Sequence, residues 1–280
     1  MTNTIDRVLP NNCEEVETDI LLMRENSTLD SSIKFINVFG FKVFSDDLDK
    51  IPIEEGQGCQ VINTISPNSY GISTQDPEFR TALKNTDYLV LDGVYFALSS
   101  FFLLGKTIQK NQGPDVFRFF MQKMNERHGK IFFLGSSNDI LKKIHMNAKN
   151  EFPNIQIQYF SPPYKPVFDK AENDEMIDAI NSFSPDVLFI GMTAPKQEKW
   201  AYAHKDCIKS RLAVSIGAVF DWYAGTEKPI APFWWKLRLG WLIRTIQRPE
   251  ILKRYPNIFI FFRHLAMAIA GSKKYKYGRF

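Results

Sequence analysis

The stretch Val90–Ala97, VLDGVYFA, ends an apolar run on an acid and a glycine and then opens what reads as a helix. A strand that stops at Asp92-Gly93 puts a carboxylate where the backbone turns, and the carboxyl ends of strands are where open α/β sheets bind ligands. The pattern recurs on both sides. Apolar, β-branched or aromatic runs stand at IKFINVFGFKVF, QVINTIS, KIFFLGSS, IQIQYFS, DVLFIGMT and LAVSIGAVF, most of them separated by segments of helical character. DPEFRTALKN reads as a helix with Asp76 as N-cap and Pro77 in its first turn. GPDVFRFFMQKMNER follows with Val116, Phe119, Phe120 and Met124 at helical spacing, and AENDEMIDAINSF supplies another helix before Val187–Ile190. Strands alternating with helices predict an α/β fold, a Rossmann-like and mostly parallel sheet flanked by helices.

Length and charge divide the chain. At 280 residues with 44% apolar content it can bury a substantial core. Residues 1–32 are polar and acidic, with Glu14, Glu15, Glu17 and Asp19 where a signal peptide needs a basic start, so they are expected to be a loose extension on a cytoplasmic protein. Residues 33–228 would form the α/β core and 229–280 a helical appendage. From Lys228 onward twelve lysines and arginines face the single acid Glu250, a net +11 within an overall +4, which leaves −7 for the rest. An acidic body with a basic tail points to an anionic partner. The tail interleaves Trp234, Trp235 and Trp241 with Leu237, Leu242, Ile246 and basic residues, and apolar runs such as IFIFF favour lipid over nucleic acid. The run Ile258–Ala270 contains Arg263 and falls short of the ~20 apolar residues that span a bilayer, so interfacial helices are expected, either docked on a membrane or packed on the core. Cys13, Cys59 and Cys207 show no zinc spacing and are expected to be reduced.

The strand ends carry the candidate chemistry. Asp92 would serve as a general base in a cleft, with Gly93 allowing close approach of substrate, or else would cap the following helix. In LGSSNDILKK, Gly135 and Ser136 offer a phosphate cradle at a helix start, a role that ordinary capping by Ser137 or Asn138 explains as well. In GMTAPKQEKW, Gly191 follows a buried strand, Pro195 opens a helix, and Lys196, Gln197 and Glu198 crowd its first turn with groups suited to sugar hydroxyls and a diphosphate. Asp115, at the start of the GPDVF helix, joins the substrate-binding candidates. No HExxH, dinucleotide fingerprint or P-loop is present, and neither metal nor cofactor is expected. His128, His145, His204 and His264 form no visible relay.

Taken in order and at these separations, LDG, TAPKQEKW, FDWYAGT and GWLIRTIQRPEILKRY resemble the WecG/TagA/CpsF family of bacterial glycosyltransferases, from about Ile36 to about Tyr255. The resemblance implies an inverting EC 2.4.1 transferase that moves a sugar from a UDP-sugar to a polyprenyl-diphosphate-linked saccharide, peripheral on the inner face of the cell membrane, without an obligatory metal. It implies that Asp92 deprotonates the acceptor hydroxyl. Thr64 would lie by a sugar; Tyr164, Gln197, Glu198 and Asp221 would line the nucleotide-sugar pocket; Arg238, Arg244 and Arg254 would meet the lipid diphosphate or the membrane. The chain departs from the family pattern at Ser66, where asparagine is usual, and at Leu91, Ile230 and Gly240. Those departures motivate a rival expectation, a non-catalytic, membrane-peripheral scaffold of polysaccharide assembly that retains nucleotide binding. A homo-oligomer is open on either reading.

Overall fold

The structure is a computed structural model and describes residues 33–53, 58–105, 111–227, 233–234 and 240–278. The expected extension 1–32, the 228/229 boundary, and the candidate residues Arg238 and Ile230 lie outside the described residues.

The first apolar run breaks into two strands, β1 (Phe35–Val38) and β2 (Phe41–Phe44), which pair antiparallel around Phe39-Gly40. Both turn residues have positive φ, 52° and 78°, the geometry whose twist suits a two-residue hairpin. Then β3 (Gln60–Ile65) leads through α1 (Pro67–Ser73) and α2 (Pro77–Lys84) to β4 (Tyr88–Leu91) and α3 (Val94–Leu104). The chain continues with α4 (Gly113–Glu126), β5 (Lys130–Gly135), α5 (Asn138–Glu151), β6 (Gln156–Phe160), α6 (Lys170–Phe183), β7 (Val187–Gly191), α7 (Lys196–His204), β8 (Leu212–Ser215) and α8 (Val219–Tyr223). After the segment outside the described residues come α9 (Gly240–Gln247), a 3-10 turn at Pro249–Arg254, α10 (Tyr255–Ile269) and α11 (Lys273–Lys276).

The strands form one sheet in the order β1-β2-β4-β3-β8-β7-β5-β6, and every pair except β1–β2 is parallel. This is the expected α/β architecture. Strands β4, β7 and β8 are buried along their whole length, as parallel strands covered on both faces must be. On one face Phe117 and Phe120 of α4 and Phe220 of α8 pack over Phe133 and Phe189. The other face divides into two clusters. One gathers Met176 and Ile180 of α6 and Trp200 of α7 over Leu188 and Ile190. The other gathers Tyr70, Phe79 and Phe96 over Val43 and Leu89. The expected Asp76 cap is present, its carboxylate accepting from the Phe79 N–H at 3.0 Å.

The C-terminal helix α10 is built into that last cluster: Phe261, Leu265 and Ala268 are buried there. Gly71 of α1 lies flat against it, for a Cβ at that position would come within 2.3 Å of the Asn257 carbonyl oxygen. The Tyr70 hydroxyl and His264 Nδ1 are 3.0 Å apart, and Gln75 donates to Asn257 Oδ1 at 3.0 Å. No helix among the described residues is long and apolar enough to cross a membrane. Cys59 is free and buried, with burial pushing its thiol up to about 12.

Candidate active site

Parallel pairing sends the carboxyl ends of β3, β4, β5, β6, β7 and β8 to one edge of the sheet, and the candidate residues follow from it. Thr64 pairs with Val90, and strand alternation turns it to the face covered by α4. One residue past the end of β4, the Asp92 N–H donates to the Ile65 carbonyl at 2.9 Å, which holds the turn while leaving the carboxylate outside the ladder. The capping alternative for Asp92 is not what the structure shows. The N-cap of α3 is Gly93, with φ 89° and no side-chain cap bond. Glycine is suited to that φ, and the space a Cβ would fill is open.

The half-buried Asp92 carboxyl is held above the ordinary carboxylate range, first by burial; Arg244 and Arg254 pull it back down and Asp115 pushes it up. Four side chains from four separate stretches of sequence thus share one electrostatic environment. Asp115 also closes the start of α4, accepting from the Gln112 N–H at 3.2 Å. Arg244 on α9 is anchored from behind by Glu227, at 2.9 and 3.2 Å. Arg248 pairs with Glu227 too, lies 3.8 Å from Asp221, and donates to Glu250 at 2.8 Å. The half-buried Asp221 is raised by burial and by Glu227 and lowered by Arg248 and Arg244. Glu227 and Arg248 were not singled out in the sequence. The signal available was a lone acid immediately before the basic tail, and its partners lie 17 and 21 residues on, out of reach of any local pattern.

The second group of candidates lies further along the same edge. Pro195 precedes α7, after a cis Ala194-Pro195 bond. Gln197 is buried; its Oε1 accepts from the Met192 N–H at 3.3 Å and its Nε2 donates to Glu198 Oε1 at 2.9 Å. Glu198 is only 2% exposed, burial pushes it up to about 7, and its Oε2 has no hydrogen-bond partner among the described residues. Lys196 donates to the Lys165 carbonyl at 2.8 Å and lies 4.3 Å over the Phe168 ring, tying the loop after β6 to the start of α7. That loop holds Tyr164 wholly in solvent.

The turn after β8 joins the two groups. A Cβ on Gly217 would touch the Gln197 amide at 3.5 Å, and one on Gly113, two residues before Asp115, would meet Val219 at 3.0 Å. The structure therefore brings Asp92, Asp115, Asp221, Arg244 and Arg254 together at one end of a strip and Lys196, Gln197 and Glu198 at the other. Four candidates have structural duties. Ser66 is the N-cap of α1, its hydroxyl accepting from the Ser69 N–H at 3.2 Å. Gly135 and Gly191 pair in register, and a Cβ on either would collide, with the Gly191 carbonyl oxygen at 2.7 Å or the Phe220 ring at 2.2 Å. Ser136 takes positive φ beside them, and its carbonyl accepts from the Ser161 hydroxyl at 2.7 Å. His204 stacks on Trp200, and His264 belongs to the α1–α10 contact. No group of three or more His, Cys, Asp or Glu side chains arranged for a metal occurs among the described residues.

Residues 36–275 match the model of the glycosyl transferase WecG/TagA/CpsF family. Three similar proteins carry the name N-acetylglucosaminyldiphosphoundecaprenol N-acetyl-beta-D-mannosaminyltransferase. The Bacillus subtilis (strain 168) protein is 28% identical over 216 residues, 77% of this chain and 82% of its own length. The Bacillus spizizenii protein is 24% identical over 216 residues, covering 77% and 81%. The Staphylococcus aureus (strain MW2) protein is 24% identical over 215 residues, covering 77% and 83%.

Proposed function

Since the chain belongs to the glycosyl transferase WecG/TagA/CpsF family and is a glycosyltransferase, we propose that it transfers a sugar from a UDP-sugar to a polyprenyl-diphosphate-linked saccharide, with inversion, at the cytoplasmic face of the membrane. The relatives' names describe an N-acetylmannosaminyl group passed to an N-acetylglucosaminyl-diphosphoundecaprenol, and that pair is the first to try here. The observation that carries the reading is Asp92: an uncapped carboxylate at a strand end, raised by burial and faced by two arginines.

A base must accept a proton near neutral pH, and partial burial raises the basicity of a carboxylate. Asp92 takes the proton of the acceptor hydroxyl as that oxygen forms its bond to the anomeric carbon. The bond from that carbon to the UDP oxygen breaks on the opposite face, and UDP leaves with the electron pair. Arg244 and Arg254 suit a diphosphate, which carries charge that fixed guanidinium groups neutralise without reorganising. Gln197, and Tyr164 on the loop that Lys196 ties down, would meet the donor. Asp221 would act through Arg248 and Glu227, which set the position of Arg244.

The test is transfer from a panel of UDP-sugars to short-chain prenyl-diphosphate-linked mono- and disaccharides, with and without EDTA, beside Asp92→Asn. Turnover that persists in EDTA and falls ~10²–10⁴-fold in the variant supports the proposal. A variant as active as the native chain would remove Asp92 as base. UDP binding without transfer to any acceptor would favour the non-catalytic scaffold.

A further inference from the structure

Among the described residues, Asn63 Oδ1, Ser215 Oγ and Glu198 Oε2 are buried and have no hydrogen-bond partner. They come from three elements, yet they meet in one layer. Ile62 pairs with Val214, so Asn63 and Ser215, the next residue on each strand, stand side by side on β3 and β8. Ile62 and Val214 belong to the cluster under α4, and strand alternation therefore turns Asn63 and Ser215 to the opposite face, where α7 packs. Helix α7 lies over β3 and β8 and is pinned beside α2 by Lys199, 2.7 Å from Asp76. Glu198 and Ala201, one turn apart, are on the buried side of that helix, and Ala201 belongs to the cluster that contains Leu188 and Ile190.

The orientation of the Asn63 amide is fixed by its neighbour. The Thr86 hydroxyl donates to the Ala82 carbonyl at 2.9 Å, so toward Asn63, 2.7 Å away, it can only accept, and the amide must present Nδ2 to it. Asn63 Oδ1 is thereby turned away from Thr86 and needs a donor. Glu198 Oε1 already accepts from Gln197, which leaves Oε2 as the atom in need. An unmet buried polar group costs about 1–3 kcal/mol, and such groups that do not reach one another are bridged by water.

The cluster lies directly behind the Gln197 end of the site. Asn63 precedes Thr64, and Ser215 stands two residues before Gly217, whose backbone runs against the Gln197 amide. Gln197 Oε1 accepts from the Met192 N–H and one amide hydrogen goes to Glu198, while the second makes no bond among the described residues.

We propose that one buried water joins Asn63 Oδ1, Ser215 Oγ and Glu198 Oε2, and that through it Glu198 serves as a positioning residue, holding the Gln197 amide with its second hydrogen toward the nucleotide-sugar. The water donates to Asn63 Oδ1, and the Ser215 hydroxyl and the Glu198 carboxyl, which burial keeps protonated, complete its shell. The positioning role rests on Gln197 meeting the donor, as the proposed function has it; the water site does not.

The experiment pairs a crystal structure of the full chain with kinetics and UDP calorimetry on the native protein, Ser215→Ala, Glu198→Met and Glu198→Gln, each first checked for a cooperative thermal transition. The crystal should show one ordered water within hydrogen-bond reach of all three atoms. Ser215→Ala and Glu198→Met should each raise the donor KM about tenfold, with kcat and the acceptor KM near native, because only the hold on Gln197 is loosened. Glu198→Gln can still donate to the water and accept from Gln197, so its donor KM should return close to the native value. A role in stability alone would lower thermal midpoints and leave the donor KM where it was, which would overturn the positioning role. So would a fall in kcat at native KM. A direct Glu198–Asn63 bond, or a gap without water, would overturn the water site, and Ser215→Ala keeps the test open if Glu198→Met does not fold. Absence of turnover by the native chain would remove the transferase reading alone, since the crystal still reads the water and calorimetry still reads whether the variants weaken UDP binding.

Discussion

At the scale of single residues, the site rests on two carboxyls that burial makes basic. Asp92 is raised by burial and lowered by Arg244 and Arg254. Because only the deprotonated base works, kcat/KM should fall on acidification through a pKa above the ordinary carboxylate range. Arg244→Ala removes one of the charges that lower it, so the acid limb of the pH profile should move to higher pH. A limb that stays in place would mean that Arg244 does not act on Asp92. Glu198 is the second case. It titrates near 4.5 when unfolded and at about 7 in the fold, so between those values the folded chain holds the extra proton and stability falls as pH rises. Glu198→Gln keeps an acceptor for the Gln197 amide and loses the titration. Relative to the native chain, the variant should gain on the order of 1–3 kcal/mol in denaturant unfolding between about pH 5 and about pH 8. A constant difference across that range would show that Glu198 is ionised at both ends. Such values could not be read from the sequence, where both residues are ordinary acids near strand ends. Their basicity depends on what covers them.

At the scale of elements, the sequence announced strands and helices through periodicity, and most formed where their caps and apolar spacing placed them. The exception is IKFINVFGFKVF, one mostly apolar run that becomes a hairpin because Phe39-Gly40 takes positive φ and Phe39 finds a buried place among Tyr70, Phe96 and Phe261. Gly40 is the only local sign of the break, and the buried place for Phe39 is made by rings that lie far along the chain. The crossing of α1 and α10 is decided by one atom. Gly71→Ala would push a Cβ into the Asn257 backbone, and neither helix can yield without disturbing the other. The expected cost is ~1–3 kcal/mol in unfolding, with earlier proteolysis near α10. A native thermal midpoint in the variant would mean that the two helices separate freely. Tyr70→Phe, which removes the hydroxyl facing His264, should cost about 1 kcal/mol and leave the fold in place.

At the scale of the molecule, the basic C-terminal segment is joined to the core twice. Glu227 holds Arg244 and Arg248, and α10 fills the cluster around Tyr70, Phe96 and Leu89. Deleting residues 255–280 should therefore lower the thermal midpoint of the α/β unit by well over 5 °C or leave it insoluble, because Phe261, Leu265 and Ala268 leave an apolar hole behind them. An unchanged midpoint with loss of vesicle binding would instead make α10 a docking device that the core can spare. The sequence by itself determined the α/β class, the strand ends as the functional edge, the family, and Asp92 as the acid at the end of β4, because periodicity, turn chemistry and motif order are properties of consecutive residues. Only the tertiary structure decided that Asp92 is free of the α3 cap, that Arg244 and Arg254 act on its charge, that Glu227 holds one of them, and that α3 shows Phe101 and Phe102 to solvent while Phe96, Ser99 and Ser100 are buried. Those are relations between surfaces brought together from distant parts of the chain, where burial sets the charge on a carboxyl and packing decides which side of an apolar helix remains uncovered.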